Sequence, residues 1–141
     1  MEELVEEVTA AIRRSVPALE KSFGEGGIAG CCLLLDCDMI SLGMESVSRK
    51  FIDEAEDKWM LFSPVEWDTS PGPCHFSQAA GLLEETCTDA GYEDRARAVV
   101  GGLVRALRQA RELEDALQQV FLLIYCTDSG GVWDELHREA V

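Results

Sequence analysis

Basic residues are scarce in this chain: 12 Lys and Arg stand against 27 Asp and Glu among 141 residues, a formal charge of −15. That balance works against phosphate backbones and anionic lipid surfaces, so nucleic-acid and membrane binding are disfavoured. Long hydrophobic runs are missing too. The longest, residues 31–35 and 120–126, fall far short of the roughly 20 residues that cross a bilayer. Met1 is followed by acids where a secretion signal would carry a basic stretch and an apolar core, so the chain reads as cytoplasmic. In that compartment its six cysteines are expected as reduced thiols. No Cys-x-x-Cys occurs, and a zinc site or dithiol redox pair therefore lacks its signature. The two histidines, His75 and His137, are the only imidazoles able to activate a thiol. Cys74 precedes His75 directly, but neighbours in an extended segment point to opposite sides.

Phosphate-binding and calcium-binding loops are also lacking. Gly24-Glu25-Gly26-Gly27 precedes a strand, whereas a phosphate-cradling loop follows one and opens a helix. Gly130-Gly131 has the right order, but Asp128 beside it would repel an anion. No cofactor is implied.

What is present is one compact set of elements, with no repeat or low-complexity tract. At 141 residues the chain fits a single domain, 1–141, able to bury roughly 70% of its unfolded surface. Leu4, Val8, Ile12, Val16, Leu19 and Phe23 recur at helical spacing, with Pro17 predicting a kink or two abutting segments. Gly24 and its neighbours then stop the helix. Residues 28–35 are apolar on both faces and suit a central strand. Asp36-Cys37-Asp38 supplies turn chemistry before a short strand near 39–42, which makes a hairpin. A helix is predicted over 45–56, with Met44, Val47, Phe51 and Ala55 on its buried side, then a strand over 58–62.

Pro71-Gly72-Pro73 marks a loop over 68–74. Two periodic helices follow, one through Phe76, Ala80, Leu83 and Cys87, the other through Ala96, Val100, Leu103, Leu107 and Ala110. A buried strand over 119–126 and a terminal helix over 132–140, carrying Trp133 and Leu136, complete the chain. The expected fold is α+β: a small, mostly antiparallel sheet of about four strands flanked by about five helices.

The most specific segment is Phe62-Ser63-Pro64-Val65-Glu66-Trp67. Ser63 fits a helix N-cap, Pro64 the first helical position and Glu66 the returning partner of a capping box, while Phe62 and Trp67 fit a hydrophobic staple. With Trp59, Met60 and Leu61 before it, this segment resembles the aromatic-Ser-Pro-x-Glu-Trp signature of a bacterial domain-of-unknown-function family of small cytoplasmic proteins. The family more often has a basic residue and Trp before Ser-Pro, where this chain has Leu61 and Phe62. The resemblance implies a fold and a bacterial origin, and it carries no activity.

Each chemical constellation has a plainer structural counterpart. Asp36 and Asp38 at the end of one strand and Asp128 at the end of another would form a hard-cation site if those strands were neighbours, the basis of a metal-assisted hydrolase. Asp is equally a turn and cap residue. Glu66 and Asp68 with Glu84 and Glu85 would make an acid–base pair, but the capping role already occupies Glu66. Cys31, Cys32, Cys87 and Cys126 sit in apolar surroundings as small hydrophobes.

There remains an aromatic and acidic face, Trp59, Glu66, Trp67 and Asp68, of the kind that recognises a basic protein partner. Both tryptophans equally suit a core. The reading that follows is a non-catalytic, immunity- or antidote-like binding module for a basic partner, its oligomeric state left open.

Overall fold

The computed structural model describes residues 1–24, 27–54 and 75–126. Helix α1 (Glu2–Phe23) leads into β1 (Ile28–Leu35), which forms a hairpin with β2 (Leu42–Ser48). A short helix α2 (Arg49–Glu54) follows, then α3 (Ser77–Glu85), α4 (Tyr92–Leu113), a 3-10 turn (Asp115–Leu117) and β3 (Phe121–Cys126). The described residues thus form an α+β fold with three strands in the order β2-β1-β3 and four α-helices. The strand expected over 58–62, the helix start at Ser63, the loop at 68–74 and the helix over 132–140 lie outside the described residues.

Helix α1 forms because its apolar residues make one stripe. Leu4, Val5, Val8, Ala11, Ile12, Val16 and Leu19 are buried, while the acids Glu2 and Glu3 occupy the first turn, where the helix dipole favours them. Pro17 lies on the exposed side and the assigned helix runs through it, so α1 is one helix and not two segments. Thr9 and Ser15, buried in the stripe, satisfy their hydroxyls by donating to the carbonyls of Val5 and Ala11 at 2.7 and 2.8 Å. Gly24 ends the helix with φ 65°, a conformation that suits glycine.

Helix α4 packs along α1 in the same direction. Glu2 meets Arg105, Thr9 meets Gln109 and Arg13 meets Glu114, so position increases together on both helices. The helices come close because α4 presents Gly102, Ala106 and Ala110. A Cβ at Gly102 would stand 2.6 Å from Met1 Sδ and 3.5 Å from Val5 Cγ2.

This helix pairing overturns the expectation of a mostly antiparallel sheet. Each long helix is followed, after a short connection, by a strand of the sheet, and two helices of the same sense deliver two strands of the same sense. β3 accordingly runs parallel to β1, with Gly30 opposite Phe121 and Leu35 opposite Cys126. The sheet is mixed, because β2 remains antiparallel to β1.

A second correction concerns residues 42–48. They form strand β2, and the helix expected over 45–56 is confined in the described residues to Arg49–Glu54. The strand near 39–42 begins only at Leu42, because residues 36–41 are spent on the hairpin connection.

β1 is central, and its residues pack on both faces. Cys31, Leu33 and Leu35 join the principal core with α1, α3 and α4; Ala29 and Cys32 join a second cluster with Val47, Phe51, Ile52, Phe121 and Leu123. Leu33, Leu35, Ile12, Leu83 and Leu103 have at most 1% exposure. Each contributes about 1.5–3 kcal/mol by burial, which puts most of the stabilisation on the helix-covered face. Among the described residues, no helix is long and apolar enough to cross a membrane.

Candidate functional site

The C-terminal ends of β1 and α3 meet the first turn of α4, and one side chain joins them. Arg95 donates from Nε to the Thr86 carbonyl at 3.0 Å and from Nη2 to the Leu83 carbonyl at 2.9 Å, covering the last turn of α3. The same guanidinium reaches the hairpin connection, donating to the Met39 carbonyl at 3.3 Å and to that of Asp38 at 3.5 Å. A planar fork with five donors can serve acceptors in several directions at once. One helical turn earlier, the Tyr92 hydroxyl donates to the Cys37 carbonyl at 2.5 Å.

The hairpin connection is also held from within. Asp36 Oδ1 accepts the backbone N–H groups of Ile40 and Ser41, both at 2.8 Å, and Met39 N–H bonds the Asp36 carbonyl at 3.0 Å. Met39 adopts φ 56°, left-handed backbone that an L side chain takes at some cost, while its side chain is fully buried.

Around this junction the surface is acidic. Asp38, Glu84, Glu85, Asp89, Glu93 and Asp94 are all exposed. Two exposed hydrophobic residues belong to the same junction, Ile40 at 52% and Tyr92 at 50%. Three ion pairs among the described residues engage other acids, Glu2, Glu7 and Glu114. Glu93 and Asp94 stand in the first turn of α4, where the dipole welcomes them. Glu84 and Glu85 have the opposite placement: they end α3, whose last turn contains no basic residue. Negative charge there opposes the helix dipole, a cost that the Arg95 guanidinium on the same turn offsets in part.

Of the residues singled out from the sequence, Trp59, Glu66, Trp67, Asp68 and Asp128 lie outside the described residues. β1 and β3 are neighbours, as the strand-end carboxylate reading required. Asp36, however, spends Oδ1 on two backbone N–H groups of its own turn. Among the described residues no group of three or more His, Cys, Asp or Glu side chains is placed to hold a metal ion.

Cys31, Cys32 and Cys87 are free thiols. Burial pushes Cys31 up to about 11, partly offset by the Ser46 hydroxyl 3.6 Å from its sulfur. Burial raises Cys32 further, with added repulsion from Glu45 and Cys31 and a partial offset from a backbone hydrogen bond at Tyr125. Both are protonated at neutral pH and unsuited to nucleophilic attack. Glu45, opposite Cys32 on β2, is itself shifted upward by desolvation.

At the other end of the strands, Glu20, Arg49, Asp115 and Gln118 border an open cleft of ≈ 420 Å³. Its lining mixes both charge signs with amides and presents no convergent set of acid, base or nucleophile.

The acidic junction was missed in the sequence, although a signal existed: five acids fall between positions 84 and 94 with no basic residue among them. Comparison of the chain with protein-family models, with curated proteins and with solved structures finds no match.

Proposed function

We propose that this protein is a non-catalytic binding module for a basic protein partner, which it contacts through the junction of the β1–β2 connection, the end of α3 and the start of α4. An antidote-like role, masking a basic toxin or enzyme, fits this chemistry. The observation that carries the reading is the placement of Glu84 and Glu85 against the dipole of α3, beside exposed Ile40 and Tyr92. Charges gathered against the local helix dipole, near apolar surface, suit electrostatic steering toward a complementary partner. Arg95, bound to backbone carbonyls, is one cation against the six exposed acids Asp38, Glu84, Glu85, Asp89, Glu93 and Asp94. The chain's formal charge of −15 extends the same field over the molecule and disfavours nucleic acid as the ligand.

The test is affinity capture from the native host at low and high salt, followed by association kinetics with the captured protein. A basic partner should associate more slowly as salt rises, since the Debye length falls from about 10 Å at 0.1 M to about 3 Å at 1 M. The variant Glu84→Gln/Glu85→Gln should slow association while leaving stability equal or higher. A partner indifferent both to salt and to this variant refutes the proposal.

A further inference from the structure

We draw no further inference here: the strongest candidate, the second face of the sheet, where Glu45 stands among Cys32, Leu34, Leu123 and Tyr125, has only α2 packed across it among the described residues, and nothing in the structure shows what covers the rest.

Discussion

Replacing Arg95 with Met keeps an aliphatic stem and removes every donor, which makes it the sharpest test of the junction. Four carbonyls lose a partner, but not equally. The Leu83 carbonyl still receives the Thr86 N–H at 3.2 Å, and Asp38, at 3.5 Å from the guanidinium, is exposed and can turn to water. The loss therefore falls mainly on the Thr86 and Met39 carbonyls, which stand in part-buried bonds at 3.0 and 3.3 Å. A bond from a charged donor is worth about 1.5–3 kcal/mol, and the longer contact belongs at the low end. Loss of the cation from the C-terminus of α3 adds about 0.3–1 kcal/mol.

The expected destabilisation is about 3 kcal/mol, which lowers Tm by roughly 10 °C in a domain of this size. Urea denaturation with a fitted slope is the assay, because an unchanged slope keeps the effect in the native state. Arg95→Lys should recover only a minor part, since one ammonium cannot span the end of α3 and the hairpin connection together. Arg105→Met serves as the control: its exposed pair with Glu2 is worth under about 1 kcal/mol. If Arg95→Met costs no more than Arg105→Met, or if Arg95→Lys matches the parent, the guanidinium does not hold the junction.

Gly30→Ala should destabilise by about 1–3 kcal/mol, because its new Cβ would enter the space filled by the Phe121 ring; Phe121→Leu in the same chain should recover part of that loss in a double-mutant cycle by thermal melting. Cys31 and Cys32 have folded pKa values above those of the unfolded chain, so their contribution is intact at neutral pH and lost as pH rises from 9.0 toward about 11. Urea midpoints of the parent and of Cys31→Ala/Cys32→Ala should converge over that window, and a constant difference would contradict the burial argument. Glu45 is also raised, so its ionised form opposes folding at neutral pH: Glu45→Gln should raise the urea midpoint at pH 7, and the gain should vanish below the carboxyl's ordinary value of 4.5. A midpoint that falls at pH 7 would show that the carboxylate is stabilising there.

The helical stripes of α1 and α4 and the apolar run of β1 were legible because each repeats one periodicity over enough residues to exclude the other. β2 was not. Met44, Val47 and Phe51 fall at steps of three and four, which reads as a helix face, yet on the strand Met44 packs toward the principal core and Val47 toward the second cluster. Two buried faces let a strand imitate a helical period. The direction of β3 was illegible for a different reason. Periodicity reports burial and carries no sense of direction, whereas the parallel pairing follows from how α4 lies along α1. Arg95 was invisible because its partners are backbone carbonyls, which leave no side-chain pattern to read.

The start of α4 marks where the acids gather. α1 and α4 run in one direction, and α4 begins beside the hairpin connection at the C-terminal end of β1, as the Tyr92–Cys37 bond shows. The first turn of α4 therefore places Glu93 and Asp94 at this end, whereas Glu2 pairs with Arg105, about 20 Å further along α4 at 1.5 Å per residue. Those two acids follow from helix stability alone, since each offsets the dipole of α4. Glu84 and Glu85 reach the same end from the opposite polarity of α3, where the dipole resists them. Local stability would scatter acids to helix starts and keep them from helix ends. Acids converging from both polarities are what the proposed contact with a basic partner would use.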